Sequence, residues 1–361
     1  MKRVMVLVVM LMFIFNFFNF VVRAEWPAQV LESPNLAFRT EPGICAVAMS
    51  NSYLVIGGDW AGGPNFVKVF DLNGGTVSNL PYHQYNVSAL TMNRDRIFTT
   101  DGKVVRQWDM SGQEIRSLAG HKSEIYGLDY TSSGELLASS GGFDNTIRVW
   151  DLRWGTAKVL GQERVNTTGM YDFKTPCVLS VKFIDSNNLL AGYNDGAWIW
   201  NISGSSYKLP GNIQDVYTVA VSKKYLAAGS MGTPRFGTPD GKISIWDAGS
   251  KSLIQTLDFP GGSVFSLDFS PDGRYLAAGR QYKIVQIFDV LTGEYVAELR
   301  HSTYETQNSS SVIFTKFTED GRLVSATGYP EGKIRIWNMA AIRPTPMVNM
   351  IIGWGKMRMR K

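Results

Sequence analysis

One short ending recurs seven times along this chain. It reads VKVFD up to Asp71, VRQWD up to Asp109, IRVWD up to Asp151 and AWIWN up to Asn201. It returns as ISIWD up to Asp247, VQIFD up to Asp289 and IRIWN up to Asn338. Successive endings lie 38, 42, 50, 46, 42 and 49 residues apart. A period in the forties, with apolar residues at alternate positions, implies one small antiparallel sheet per repeat. Each repeat keeps the same internal order. An apolar strand comes first (IYGLDY at 125–130, VFSLDF at 264–269), then a turn such as SPDGR at 270–274 or TEDGR at 318–322. A second strand follows, such as YLAAGS at 225–230, and then the strand with the aromatic ending. A turn such as LTGE at 291–294 leads into the fourth. Asp-Gly and Thr-Gly close these hairpins because glycine accepts positive φ at little cost. One such sheet cannot cover both of its faces, whereas a ring of seven buries each face on a neighbour.

These repeats resemble the WD-repeat β-propeller family. The stretch AGHKSEIYGLDYTSSGELLASSGGFDNTIRVWD (119–151) matches the family pattern over a whole repeat, and the resemblance extends over about residues 41–338. It implies an all-β fold, a seven-bladed β-propeller of four-stranded antiparallel blades. The family closes its ring by giving the last blade an outer strand from the N-terminal side, and AQVLESPNLAF (28–38) is placed for that role. A quinoprotein-like propeller is the alternative architecture, but the Gly-Lys-x-x-Trp ending usual in such repeats is missing.

The resemblance also carries a side-chain network, Asp–His–Ser/Thr–Trp, inside one blade. Here its members are Asp144, His121, Ser139 and Trp150. A buried indole N–H, a hydroxyl and an imidazole all need partners, and one carboxylate can orient the chain of bonds. His83 shows the same spacing to the strand after it, with Val87 and Leu90 where His121 has Ile125 and Leu128. His301 stands eleven residues before Val312 and is expected in a loop. Asp240 keeps the six-residue spacing to Trp246, and Glu331 replaces Asp before Trp337. Asp101 is one residue too far from Trp108 and Asp195 one too near Trp200, so those two blades are expected to bend locally. All three histidines fall between repeats, which reads as structural hydrogen bonding and not as a metal site.

The two ends differ from the body. Lys2 and Arg3 precede an uncharged apolar run, Val4 to Val22, and Val-Arg-Ala follows at 22–24. Residues 1–24 read as a secretory signal cut before Glu25, with a membrane anchor at 4–22 as the alternative. The protein is therefore expected to be exported, to a periplasm or the extracellular space. Of the net charge of +5, more than the whole sits at the ends: residues 25–342 alone carry −3. The basic pI is thus no sign of a nucleic-acid-binding body. The tail 343–361 sets Trp354 beside basic residues with no acid, which suits an anionic membrane surface or an acidic partner. Cys45 and Cys177, in the first and fourth repeats, are expected as buried free thiols. Asn-x-Ser/Thr sequons stand at Asn86, Asn166, Asn201 and Asn308.

No haem-attachment, phosphate-loop or nucleophile-elbow pattern is present. No cofactor, metal or catalytic residue is assigned, and the chain is read as a non-enzyme. In an antiparallel four-stranded blade, second-to-third loops and the crossovers between blades share one end of the ring, here called the top. The long segments, 57–65, 161–176, 230–241 and 300–311, all belong there, while the bottom turns are minimal. Stability does not need long loops, whereas recognition uses them. Trp60, Phe143, Tyr193, Phe236, Tyr282, Tyr304 and Tyr329 lie in or beside the top loops. Tyr126, Tyr217 and Phe265 share the second place of the inner strand, at the channel mouth, and Arg235 and Arg280 stand close in sequence. Aromatics with arginine suit a protein-binding hot spot. The reading is an interaction platform for a protein or peptide on the top face, a monomer unless held in a complex. The alternatives are an enzyme or small-ligand site at the channel mouth, or an assembly subunit of a membrane or redox complex.

Overall fold

The recurring aromatic ending matters because of where it packs. In the computed structural model the described residues are 30–31, 43–58, 65–72, 75–93, 95–162, 177–211, 213–232, 241–258, 262–301, 310–328 and 331–339. They form seven four-stranded sheets. Trp108, Trp150, Trp246, Phe288 and Trp337 each end the third strand of one sheet and insert into the sheet before it in the chain. Trp108 meets Val55, Val67 and Val69 of the first sheet. Trp150 meets Phe98, Val105 and Leu118 of the second. Trp246 meets Leu190 and Ile199 of the fourth, and Trp337 meets Val285 and Ile287 of the sixth. Phe70 completes the circle by packing on Val324, Ala326 and Ile334 of the seventh. Each such ring, buried against its neighbour, stabilises the interface by about 2–3 kcal/mol. The period of the sequence is therefore the period of the blade-to-blade joints.

Blade 1 consists of Ile44–Met49, Tyr53–Gly58, Asn65–Asp71 and Thr76–His83. Blade 2 follows with Leu90–Met92, Arg96–Asp101, Val104–Asp109 and Glu114–Ala119. Blade 3 has Gly127–Tyr130, Leu136–Ser140, Ile147–Asp151 and Thr156–Leu160, and blade 4 has Val178–Phe183, Asn188–Tyr193, Gly196–Asn201 and Ser206–Lys208. Blade 5 has Val216–Val221, Tyr225–Ser230, Lys242–Asp247 and Leu253–Asp258. Blade 6 has Val264–Phe269, Tyr275–Arg280, Ile284–Asp289 and Tyr295–Arg300. In each of these six, chain order is sheet order, inner strand first. Blade 7 combines Val312–Phe317, Leu323–Thr327 and Ile334–Trp337 with Val30–Leu31, which pairs antiparallel on its outer edge as Val30↔Trp337 and Leu31↔Ile336. Of the segment 28–38 only these two residues are described.

Burial is greatest in the second strands and least in the outer ones. Second strands such as Leu136–Ser140 and Tyr225–Ser230 are buried on both faces, so they read Leu-Ala-Ala or Leu-Ala-Ser and not as an alternating pattern. Outer strands such as Glu114–Ala119 keep a single buried residue. The bottom turns are tight for the expected reason: Gly273 and Gly321 sit at φ +73° and +81°, a region that costs glycine nothing. The presumed signal 1–24 and the tail 343–361 lie outside the described residues. So do Trp60, Arg235, Phe236, Tyr304, Tyr329 and most of the four long top segments.

Candidate functional site

The polar network of blade 3 runs from a buried indole to a buried carboxylate. The Trp150 indole only donates, and it donates to Ser139 Oγ at 2.8 Å. The Ser139 hydrogen is then free for His121 Nε2, 2.7 Å away. On its other side His121 Nδ1 donates to Asp144 Oδ2 at 2.8 Å. Asp144 also accepts from the backbone N–H of Lys122 and from both the N–H and the hydroxyl of Thr146. Burial alone would raise its carboxyl. The bond and charge of His121, then Thr146 and Lys122, outweigh this and hold it below the usual carboxylate value. Gly141 is required beside it, because a Cβ there would run into His121 and both Asp144 oxygens.

His83 joins the same kind of chain in blade 2, without a carboxylate. Trp108 donates to Thr99 Oγ1 at 2.8 Å, Thr99 contacts His83 Nε2 at 2.7 Å, and His83 Nδ1 reaches the Pro81 carbonyl at 3.0 Å. Asp101 is drawn away: it takes the Tyr85 N–H and pairs with Arg106 at 2.8 Å. His301 lies outside the strands as expected, one residue past the outer strand of blade 6, but it is not a surface residue. His301 is fully buried in blade 7, where its Nε2 lies 2.7 Å from Ser325 Oγ and Trp337 donates to the same oxygen at 2.7 Å. The long crossover after it hid the equivalence. Counting from the preceding ending reveals it, because His83, His121 and His301 each lie twelve residues past Asp71, Asp109 and Asp289. Glu331, which replaces the carboxylate, turns to Lys333 at 2.8 Å and Lys283 at 3.5 Å, and His301 Nδ1 is left without a hydrogen bond.

Blades 4 and 5 lack the hydroxyl. The residue that receives each indole stands two places beyond its cross-strand partner: Thr99, Ser139 and Ser325, but Ala191 and Ala228 in blades 4 and 5. Trp246 donates instead to the Pro210 carbonyl at 2.7 Å. Trp200 has no hydrogen-bond partner.

At the top of the ring the inner strands share another device. In blades 1, 4, 5, 6 and 7 the register slips at the second residue of the inner strand, namely Cys45, Leu179, Tyr217, Phe265 and Ile313. A β-bulge of this sort re-aims a side chain. Tyr217 and Phe265 meet edge to face across two blades, with ring centroids 5.4 Å apart, and Tyr126 meets Phe143 at 6.2 Å. Burial first, then Glu124 and more distantly Tyr217, raises the Tyr126 phenol; burial raises Tyr217, with Cys45 adding to it. Tyr126, Phe143, Tyr217 and Phe265 are half-buried at this mouth. Cys45 is half-buried too, not fully enclosed, while Cys177 is buried, and neither is in a disulfide. Tyr282 lies on the second-to-third loop of blade 6, at the same end of the ring, 58% exposed, with φ +63° at both Tyr282 and Lys283. Two successive non-glycine residues in that region store backbone strain.

Two predicted contact residues are not available at the surface. Arg280 is 1% exposed and Tyr193 is 5% exposed. Each ends a second strand, whose two faces are both covered, so its side chain runs inward. The Arg280 guanidinium donates to the carbonyls of Gly241 and Gly262 and to Gln286 Oε1. Sequence reasoning also missed Trp154, 77% exposed in the bottom turn after Asp151. Deeper in the channel, Asp129 binds Lys182 Nζ at 2.9 Å and the Phe183 N–H, and Asp268 takes the Phe317 N–H at 2.7 Å. These inner-strand acids are thus each tied to the following blade. Among the described residues no group of three or more His, Cys, Asp or Glu could hold a metal ion.

The family model for the WD domain, G-beta repeat, matches residues 112–151 and 251–289. Each match runs from the outer strand of one blade through the third strand of the next. The chain is 29% identical over 192 residues to WD repeat-containing protein SL1-17 of Schistosoma mansoni, covering 52% of this chain and 59% of that protein. It is 26% identical over 248 residues to WD repeat-containing protein slp1 of Schizosaccharomyces pombe, covering 65% and 47%. It is 26% identical over 294 residues to small ribosomal subunit protein RACK1 of Caenorhabditis elegans, covering 66% and 86%. The chain thus spans about half the length of the first two relatives and most of the third.

Proposed function

We propose that this seven-bladed propeller of WD40 repeats is a non-catalytic interaction platform that binds a protein or peptide on its top face. The observation that carries the reading is the mouth of the channel. There Tyr126, Phe143, Tyr217 and Phe265 gather half-buried around an end where Tyr282 is held out on strained backbone. Aromatic rings fixed in place lose little freedom on binding and dominate interface energetics. The name of the RACK1 relative puts that protein in a ribosomal subunit, that is, in an assembly. The reading includes export, supported by the charge-free run from Val4 to Val22 after Lys2 and Arg3, and a contact of the basic tail with an acidic surface.

The test is affinity purification of the tagged full chain from its native envelope, compared with two variants. Tyr282→Gly removes the ring and relieves the backbone; Trp154→Ala removes the exposed ring at the bottom. Loss of the co-purified partner in the first and its retention in the second is the expected result. The reverse pattern places recognition on the bottom and overturns the reading.

A further inference from the structure

We propose that the cleft between blades 3 and 4 binds a neutral sugar, one hexopyranose ring held against two indoles and a phenol. The cleft has a volume of about 410 Å³, which is the size of a small-molecule site and not of a protein-docking face. Asn145 lines it from blade 3, and Tyr193, Asp195, Trp198 and Trp200 line it from blade 4.

Three of these residues carry a buried polar atom without a hydrogen-bond partner: Asn145 Oδ1, Tyr193 Oη and Trp200 Nε1. Such atoms are rare and costly in folded proteins, and here three share one cleft. For Trp200 the cause is visible. The indoles of Trp108, Trp150 and Trp337 donate to Thr99, Ser139 and Ser325. Ala191 occupies the matching place in blade 4, so the N–H that the other blades satisfy internally is left for something else. Burial raises the Tyr193 phenol; the Trp200 indole beside it acts the other way but does not meet hydrogen-bond geometry.

The chemistry of the missing partner follows from these atoms. Trp200 Nε1 only donates, Asn145 Oδ1 only accepts, and a phenol does either. Neighbouring hydroxyls on one ring both donate and accept, so they can meet all three. The carbon face of the same ring suits the aromatic walls, where Tyr193 and Trp198 stand edge to face at 6.2 Å. A methylated ammonium would also suit the rings, but in any methylation state it has no lone pair for Trp200, and the quaternary form has no N–H for Asn145 either. Nor does Asp195 call for a cationic ligand: it accepts the Trp198 indole N–H at 3.0 Å and faces Lys208 Nζ at 3.5 Å. Trp198 is bonded to that exposed carboxylate and to none of the three atoms, so its ring serves as a wall of the cleft.

The experiment titrates the full chain with glucose, galactose, mannose and N-acetylglucosamine, and with a glycoprotein displaying the best of them. Binding is read by tryptophan fluorescence and saturation-transfer NMR. At least one sugar is expected to bind with Kd about 1 mM, a normal affinity for so small a site. Tyr193→Phe and Asn145→Ser, each removing one of the three atoms, should weaken it about five-fold with the circular dichroism unchanged. Ala191→Ser offers Trp200 an internal acceptor and should weaken binding while raising Tm, which excludes damage to the fold as the cause. Stronger binding of the glycoprotein than of the free ring identifies a glycan as the source, and equal binding a free sugar; either supports the site. Absence of binding by all probes, indifference to all three variants, or a preference for trimethyl-lysine over every sugar would overturn it.

Discussion

Ser139 and Ser140 are adjacent, equally buried and chemically identical, yet their hydroxyls should contribute in opposite directions. Ser139 Oγ accepts from Trp150 at 2.8 Å and lies 2.7 Å from His121 Nε2. Ser139→Ala removes one oxygen and leaves almost no cavity. It strands an indole N–H and an imidazole nitrogen where solvent cannot reach them. Each stranded group costs about 1–3 kcal/mol, so the loss should be about 2–4 kcal/mol, allowing for some relaxation of Trp150. Ser140 Oγ is equally enclosed but has no partner. Ser140→Ala removes an unmet polar group, so stability should stay level or rise by up to about 1 kcal/mol. Urea unfolding followed by circular dichroism separates the two. With a slope of about 3 kcal/mol per molar urea, the Ser139 variant should lose about 1 M in midpoint while the Ser140 variant keeps the parental value. Equal shifts in the two variants would show that the Trp–Ser–His–Asp chain contributes nothing beyond the bulk of its side chains.

His301 is held down to about 3, by burial first and then by Arg335, Lys333 and Lys283, and burial also lowers His83. The unfolded chain protonates these rings near their ordinary value and the folded chain resists it, so stability should fall as pH drops below about 6.5; for His301 the loss continues towards pH 3 at up to about 1.4 kcal/mol per pH unit, and His83 adds to it in the same direction. His301→Gln should flatten that slope in urea midpoints measured across the window; an unchanged slope would mean the ring is not enclosed. Gly141→Ala should destabilise at least as much as Ser139→Ala, because the new methyl displaces His121 from Asp144; a Tm within 1–2 °C of the parent, roughly half a kcal/mol, would contradict the packing described. Tyr282→Gly should raise Tm slightly even as it abolishes partner binding, since glycine adopts φ +63° without strain; a lower Tm would mean the Tyr282 ring stabilises the loop.

The architecture was legible because its carriers are periodic. Trp108, Trp150, Trp246 and Trp337 mark interfaces that repeat with the chain, and hairpin glycines such as Gly273 and Gly321 mark the turns between them. His121 and His83 could be placed because short connections kept their spacing to the next strand. His301 could not, since spacing measured across a long crossover carries no geometry. Surface residues were harder still. Tyr193, Arg280 and Tyr282 all stand at or just past the end of a second strand, and the sequence treats them alike. Two turn inward and one outward, a choice made by local φ/ψ and by which carbonyls happen to lie within reach of the guanidinium. The bulges at Cys45, Tyr217 and Phe265 have no composition of their own, so the aim of those side chains appears only in the backbone. The cleft beside Trp200 depends on a missing oxygen at Ala191, which becomes meaningful only when blades are compared position by position.

The seam of the ring is where Val30–Leu31 pairs with Ile336 and Trp337. During synthesis the first strand of the propeller leaves the ribosome before any of its partners exists, and it must wait until the last repeat has been made. Six blades can form in order behind it, each on the one before, but the circle itself is a late, long-range event. Its entropic cost grows only slowly with the length of chain enclosed. The same seam, carried on an outer edge, is where the finished ring would first come apart. A chain stalled or cut before Ile334 would hold six stacked blades with Phe70 at one end and the joint for it absent at the other. Such a fragment presents complementary open ends, and its natural failure is to join end to end with copies of itself.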